Sequence, residues 1–303
     1  MSNLSMFYSE PIFRPPSEAN SLLLTVTIGC SYRCTFCYPY RKKRFTIRKI
    51  EEIKYDIDIS RKIYGNSVKK IFFLDGNAFV LKSEELIEIS KYCYKQHKNL
   101  RQISTYAHAN DIISKSDEDL QKIAQSGIKM IYLGIETGDN DLLKTINKKT
   151  TTENLIEAAH KLHNSGIILS GTIILGLAGK NAELSRKHAI STANLINKMN
   201  PKEDQKWYIS ALSLMIPPGT KISDQVKNNS FIPADQNVIL KELKTFLENI
   251  SDNLHGCIFR SNHASNYLPL KGILAEDKMK LIQKVRYGLD HPESLRPEFY
   301  RGL

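Results

Sequence analysis

Short apolar runs alternate with longer amphipathic stretches along most of this chain of 303 residues. The runs are rich in β-branched residues, which predicts buried strands, and the stretches between them carry apolar residues at helical spacing. Strands that alternate with helices form parallel βα units. The predicted strands cover residues 22–29, 68–74, 103–107, 130–135, 167–175 and 209–216.

This pattern predicts the α/β class, with a partial, TIM-like (β/α)6 barrel that has too few units to close. We expect residues 1–20 to form an N-terminal extension and residues 21–220 to form the barrel. Residues 221–303 are expected to form a C-terminal α/β extension that covers the barrel and the substrate site, because prolines and an Asn/Asp-rich loop interrupt the pattern. Ligands of such sheets bind at the carboxyl ends of the strands, so residues there are the first candidates for function.

The composition is that of an ordinary globular protein, with 41% hydrophobic and 25% charged residues. No apolar run approaches the ~20 residues of a membrane helix. The N-terminal sequence also lacks the apolar core of a signal peptide. We therefore expect a cytoplasmic protein with no membrane partner. The formal net charge of +11 points to anionic partners.

Three of the five cysteines lie close together, at positions 30, 34 and 37. Cytoplasmic thiols stay reduced, so such a cluster is more typical of a metal site than of disulfides. Structural zinc takes four ligands, and a fourth would have to come from His97 or His108 in other loops. A four-iron cluster held by three cysteines instead leaves one iron open to a substrate or cofactor. We therefore favour an iron–sulfur site, with a zinc loop or free thiols as the alternatives.

The spacing C-x₃-C-x₂-C, with Phe36 before the last cysteine and the first strand before the loop, resembles the signature of the radical S-adenosylmethionine (SAM) enzymes. The resemblance implies a [4Fe-4S] cluster on Cys30, Cys34 and Cys37, with SAM on the open iron. It also implies reductive cleavage of SAM to methionine and a 5′-deoxyadenosyl radical, which takes hydrogen from a small organic substrate. Phe36 and Tyr38 are then expected to border the cofactor.

Other strand ends carry segments that are similar to the SAM-binding elements of this family. Asp75-Gly76-Asn77 resembles the Gly-Gly-Glu motif that receives the methionine ammonium, with Asp first and Asn last, so either side chain is a candidate. The third strand ends in Ser104-Thr105-Tyr106, where the Thr105 hydroxyl is a candidate to meet ribose or substrate, although Thr and Tyr are also ordinary strand residues. As plain structure, Asp-Gly-Asn is also good turn chemistry.

The later strands complete this expected cofactor site. The segment around Glu136 is similar to a Gly-x-Glu-Ser-Gly element, and the resemblance assigns Lys148 to the SAM carboxylate, as Lys in place of the usual Arg. Ile174 and Gly176 match an element on which adenine stacks, and Met215 is a candidate to flank the adenine. A solvated surface lysine is the alternative for Lys148, and Ile174, Gly176 and Met215 are also compatible with an ordinary core strand.

A polar segment beyond the barrel is the candidate substrate site. Its Asn, Ser, His and Arg side chains provide many hydrogen-bonding groups beside a predicted strand, although loops are commonly rich in Asn and Ser. The candidate substrate residues are Arg260, Asn262, His263, Asn266 and Tyr267.

The resemblance extends over nearly the whole chain, to a group of stand-alone radical SAM proteins sometimes described as coproporphyrinogen-oxidase-like. Cys93 and Cys257 stand alone, which argues against a second cysteine-ligated cluster and against the methylthiotransferase class. An RNA-modifying enzyme, suggested by the charge, and a haem- or porphyrin-handling protein are the alternatives, with nucleic acid the less favoured partner. The basic run 41–44 is expected to dock an acidic flavodoxin or ferredoxin as electron donor.

Overall fold

The structure, a computed structural model, describes residues 5–202 and 205–302. It confirms the α/β class, with an eight-stranded sheet that is mostly parallel and is not closed. The chain divides into two compact units, the first made of residues 1–33, 39–133 and 161–169 and the second of 34–38, 134–160 and 170–303. Residues 1–4 of the predicted N-terminal extension and residue 303 of the C-terminal one lie outside the described residues.

The first unit contains three parallel strands and the start of a fourth. Leu24 lies opposite Phe73, and Phe73 lies opposite Thr105, so the carboxyl ends of β1, β4 and β5 lie close to one level along the sheet. The elements of this part of the chain are β1 (Leu22–Thr25), β2 (Thr27–Ile28), β3 (Thr46–Ile47), α1 (Ile50–Tyr64), β4 (Lys70–Leu74), α2 (Ser83–Gln96), β5 (Gln102–Ala107), α3 (Ala109–Ile113), α4 (Asp117–Gln125) and the first residues of β6 (Ile128–Glu136).

The second unit continues the alternation and ends in an antiparallel strand. Within it β7, β8 and β9 are parallel, and β10 pairs antiparallel with β9. Its elements are the end of β6, α5 (Asn140–Thr145), most of α6 (Thr152–Ser165), β7 (Ile168–Leu175), α7 (Ala182–Lys198), β8 (Trp207–Ser213), α8 (Lys221–Lys227), α9 (Gln236–Glu248), β9 (Cys257–Arg260), β10 (Lys271–Ile273) and α10 (Lys278–Asp290).

The strands and helices form for the reasons that their sequences suggest. The β4 strand is apolar and buried on both faces, as central parallel strands are. Short polar side chains begin several helices: Ser116 accepts from the Asp119 amide, and Asp235 accepts from the Val238 amide. Among the described residues, no helix is long and apolar enough to cross a membrane.

The structure differs from the predicted elements at two strand ends. The predicted strand 22–29 is divided, because β1 pairs with β4 whereas β2 pairs with β3 in a separate, antiparallel two-stranded sheet. The predicted strand 209–216 ends at Ser213, so Met215 lies beyond it. The strand predicted beside the polar segment is confirmed and covers Cys257–Arg260.

Candidate cofactor and substrate site

The cysteine loop follows the β2 strand. Cys30 belongs to the first unit, whereas Cys34 and Cys37 belong to the second, and all three side chains are partly buried. The second half of the loop is held by its backbone: the Thr35 amide donates to the Ile146 carbonyl over 2.9 Å. Within residues 5–202 and 205–302 there is no disulfide and no group of three His, Cys, Asp or Glu side chains arranged for a single metal ion.

Gly76 allows the turn after β4 to approach the start of the cysteine loop. A Cβ atom at Gly76 would lie 2.9 Å from the Cys30 Cβ atom and 2.5 Å from the Tyr40 ring, so a side chain here would force the loop away. Three thiols in one loop, with a glycine that lets the turn after β4 approach the first of them, fit an iron–sulfur cluster that takes three cysteine ligands.

The Asp75 carboxylate is committed to holding this region together. It accepts from the Lys43 ammonium over 2.8 Å and from the Gly29 amide over 2.9 Å. Burial raises the pKa of Asp75, and the bonds from Lys43 and Gly29 act against that rise. Lys43 also donates to the carbonyls of Ser9 and Pro11, and its side chain is buried.

This role of Lys43 corrects the interpretation of the basic run. A lysine that is buried against Asp75 cannot present its charge to a docking partner. The exposed members of the run are Arg41, Lys42 and Arg44.

Asn77 is buried and retains one unsatisfied acceptor. Its amide group donates to Asp111 Oδ2 over 2.7 Å and to Ser31 Oγ over 3.2 Å. Its Oδ1 atom has no hydrogen-bond partner among the described residues. Burial also raises the pKa of Asp111. A buried carbonyl oxygen without a donor is costly, so this position suits a ligand that brings an N–H group.

Two other predicted cofactor residues have contrasting environments. The Thr105 hydroxyl is buried and donates to the Phe73 carbonyl of the neighbouring strand. Its proton is therefore already used and cannot be donated to a ligand at the same time. Tyr38 is 41% exposed.

Glu136 and Lys148 form an ion pair with each other. Lys148 Nζ lies 2.7 Å from Glu136 Oε1, and both side chains are buried. Glu136 has a φ of 65°, which is uncommon for a residue other than glycine and is often found at functional sites. The pairing means that the Lys148 charge is already balanced within the protein.

The expected adenine platform lies in an apolar cluster of the second unit. Ile174, near the end of β7, belongs to a buried cluster that includes Leu214, and Phe36 of the cysteine loop packs against this cluster. The structure therefore brings together two of the predicted cofactor residues, Phe36 and Ile174. Met215 lies just past the end of β8 and is partly buried.

Glu242 on α9 holds the end of β7, and sequence reasoning missed it. Its Oε1 atom accepts from the Gly176 amide over 2.8 Å, and its Oε2 atom accepts from the Ser185 hydroxyl. His188 Nδ1 lies 3.2 Å from Glu242 Oε1. Gly176 has a φ of 84°, a conformation that favours glycine. The available signal was an acidic residue on the buried, apolar face of α9.

The polar groups of the predicted substrate segment mostly hold the segment itself. The Asn266 amide donates to the carbonyls of Ala211 and Ser261, and its oxygen accepts from the Ser213 hydroxyl. His263 Nδ1 accepts from the Ser265 amide over 3.1 Å. Burial, aided by the charge of Arg296, lowers the pKa of His263.

The three other predicted substrate residues differ in how exposed they are. Tyr267 is buried and its hydroxyl donates to Glu298 over 2.5 Å. Arg260 is partly buried and donates to the carbonyl of Phe259, and Asn262 is exposed.

The last residues of the described chain pack against this segment, which sequence reasoning did not predict. Arg296 donates to the carbonyls of His263, Ala264 and Asn266. The Arg301 guanidinium lies 4.1 Å from the Tyr267 ring centroid, and its Nη2 atom is 3.0 Å from Met215 Sδ. No motif marks these two arginines, because the side-chain contacts of Arg296 with residues 263–266 and of Arg301 with Met215 join residues at least 30 positions apart in sequence.

Cys93 and Cys257 are fully buried, and both lie far from the cysteine loop in sequence. Burial raises the pKa of both thiols, which disfavours the thiolate that a metal requires.

An open, mostly parallel sheet, followed after its first strand by a loop with three cysteines, is typical of α/β enzymes that bind an iron–sulfur cluster. Comparison with known families is more specific, because the family model for the radical SAM superfamily matches residues 24–186. The match covers more than half of the chain, so the protein belongs to the radical SAM superfamily. Membership implies a [4Fe-4S] cluster and SAM as cofactors.

Individual relatives are distant. The chain is 27% identical over 177 residues to a tRNA-2-methylthio-N(6)-dimethylallyladenosine synthase of Orientia tsutsugamushi, covering 55% of this chain and 38% of that protein. It thus spans well under half the length of that relative.

The solved structures show the same fold. Methylornithine synthase is similar with a TM-score of 0.52 and 13% identity, over 88% of this chain and 68% of that one. Coproporphyrinogen III oxidase of Escherichia coli is similar with a TM-score of 0.53 and 15% identity, over 75% of this chain and 52% of that one.

Proposed function

We propose that the protein is a radical SAM enzyme that acts on a small organic molecule. The observation that carries the proposal is the three-cysteine loop within the matched family region. When bound and reduced, the cluster supplies the electron that cleaves SAM to methionine and a 5′-deoxyadenosyl radical. The protein supplies ligands, orientation and exclusion of water.

The residues that we propose for SAM follow from their contacts. Asn77 Oδ1 is the acceptor for the methionine ammonium, because the Asp75 carboxylate already holds Lys43 and Gly29. Ile174 and Phe36 provide the apolar surface for adenine, and Glu242 keeps the Gly176 amide in place beside them. Lys148 turns from Glu136 to the SAM carboxylate, or the two act as a fixed pair beside it.

The test is SAM cleavage by the whole chain after anaerobic reconstitution with iron and sulfide. With dithionite and SAM, the wild-type protein should form 5′-deoxyadenosine and methionine, and Cys34→Ser should form neither. A reconstituted protein that carries a four-iron cluster and never cleaves SAM would overturn the proposal.

RNA modification is the second candidate, supported by the charge of +11 and by the similarity to a tRNA-modifying synthase. Phosphate contacts make RNA binding fall steeply with salt. A gel-shift assay with total tRNA at rising salt tests this: retention that declines with salt favours the RNA substrate, and no retention at low salt removes it.

We propose that an acidic flavodoxin or ferredoxin reduces the cluster and docks on the exposed Arg41, Lys42 and Arg44. Replacing these three by Gln should slow SAM cleavage driven by flavodoxin and leave cleavage driven by dithionite unchanged. Equal slowing with both reductants contradicts the docking. A cytoplasmic location fits this proposal, because cluster ligands must stay reduced.

A further inference from the structure

Arg301 is a buried cation whose hydrogen-bonding capacity is only partly used. Its side chain is 5% exposed, and its one ion pair within residues 5–202 and 205–302 spans 3.5 Å to the Glu298 carboxylate, which is itself 69% exposed. The Nε atom is buried and has no hydrogen-bond partner among the described residues. Burying a charge with so little compensation is expensive unless a partner completes it.

Tyr267 contacts the guanidinium with its ring and shares a side-chain hydrogen bond with it, and the remaining contacts are weak. Nη2 is 3.4 Å from the Leu214 carbonyl and 3.0 Å from the Met215 sulfur, and a thioether is a poor acceptor. The Nε and Nη2 atoms form one edge of the planar guanidinium, and two parallel N–H groups match the two oxygens of a carboxylate. Met215 lies along this edge, and an unbranched methionine moves aside readily.

The position of this edge points to a ligand site. Leu214 and Met215 directly follow β8, and the carboxyl ends of parallel strands are where such sheets bind ligands. The Tyr267 ring beneath the guanidinium and the Arg296 contacts to residues 263–266 keep the arginine in place within the second unit. The side chains first predicted for substrate are largely occupied, Asn266 by three hydrogen bonds.

We propose that Arg301 binds a carboxylate group of the small-molecule substrate through its Nε and Nη2 atoms, with Met215 displaced. The proposal rests on the proposed function for the existence of a substrate. It places a carboxylic acid in the substrate class and makes the C-terminal segment part of the substrate site.

The test is binding of small dicarboxylates to the reconstituted, full-length protein without reductant. Saturation-transfer difference NMR follows succinate and glutarate, with succinamide as the neutral probe and inorganic phosphate as an anion of different shape. Variants are Arg301→Gln and Arg301→Lys, and Arg286→Gln is the matched control because Arg286 is a surface arginine of the same unit, 55% exposed. Thermal unfolding verifies that each variant is folded.

We expect a dicarboxylate to bind the wild-type protein and the Arg286→Gln variant, with at least tenfold weaker binding to Arg301→Gln. Arg301→Lys should recover only part of it, because lysine lacks the planar fork. No saturable binding of either dicarboxylate, or equal binding of succinamide, overturns the proposal. Tighter binding of phosphate overturns the carboxylate assignment.

A separate arm uses S-adenosylhomocysteine. If its affinity falls tenfold in Arg301→Gln, the arginine holds the carboxylate of the cofactor, which overturns the substrate assignment. None of these measurements needs SAM turnover, so their failure is distinguishable from a failure of SAM cleavage in the wild-type protein.

Discussion

The Glu136 carboxylate and the Lys148 ammonium are twelve residues apart in sequence and form a buried ion pair with 2.7 Å between Oε1 and Nζ. Each was expected to face SAM. A buried pair is more costly to break on one side than to replace completely, because the remaining charge is left in a poorly solvated place. The role that we propose for Lys148 toward SAM would therefore act on an ion pair that also stabilises the fold.

Lys148→Met should destabilise the protein by about 3–5 kcal/mol, because it leaves Glu136 buried without its partner. The double variant Glu136→Gln with Lys148→Met should recover most of that loss. Urea unfolding measures both. A double variant that is less stable than Lys148→Met alone contradicts this view, and the exposed Lys144→Met is the control.

Glu242→Leu should cost about 2 kcal/mol of unfolding free energy, because the Gly176 amide and the Ser185 hydroxyl lose their buried acceptor. Glu242→Gln keeps an oxygen for Gly176 and should lose less. The more telling measurement is the KM for SAM, which should rise in the Leu variant and return towards normal in the Gln variant. An unchanged KM in both would separate Glu242 from the cofactor site.

The protein should lose stability as the pH falls through about 6.5. Burial, and secondarily Arg296, lower the pKa of His263 in the folded state, so the unfolded chain takes up its proton at higher pH than the folded chain does. Proton uptake then favours unfolding below the unfolded pKa.

Unfolding in urea between pH 5.5 and 7.5 measures this slope. His263→Asn should flatten it, since Asn can accept from the Ser265 amide without titrating. Part of the slope should remain, because burial also lowers the pKa of His97. The exposed His255→Asn is the matched control, and equal flattening there would rule out His263 as the source.

Iron content should separate the five cysteines into two groups. After anaerobic reconstitution, the Ser variants of Cys30, Cys34 and Cys37 should each lose most of the bound iron and sulfide. Cys93→Ala and Cys257→Ala should keep it, because their thiols are buried with raised pKa. Loss of iron in either Ala variant, with unchanged thermal unfolding, would show that a ligand lies outside the loop.

The features that could be predicted from the sequence are those that depend on a local pattern of residues. The strands are buried apolar runs, so their order and the α/β class followed from alternation alone. Gly76 and Asn77 became candidates because they lie just after β4, and their role in binding SAM stays a prediction. The division of the strand at Val26 was missed because residues 22–28 are apolar or β-branched throughout, and only the pairing of Thr27 with Ile47 shows that β2 has a different partner from β1.

Partners chosen by tertiary packing could not be predicted. Lys43 was grouped with three exposed neighbours, yet it is the one that packs against Asp75. Glu242 and Gly176 are 66 positions apart, and Arg301 and Met215 are 86 apart. Long-range pairs of this kind depend on which polar groups are buried together, and that depends on the complete fold.

The Asn266 side chain makes three hydrogen bonds within the protein, and this has a consequence for how the polar segment can evolve. Because Asn266 joins β8 to the polar segment through Ala211, Ser213 and Ser261, the frame of this segment is independent of whatever Asn262 contacts. Exposed Asn262 can then mutate while the frame stays intact. We expect homologues that act on different substrates to differ at the position of Asn262 and to retain Asn266.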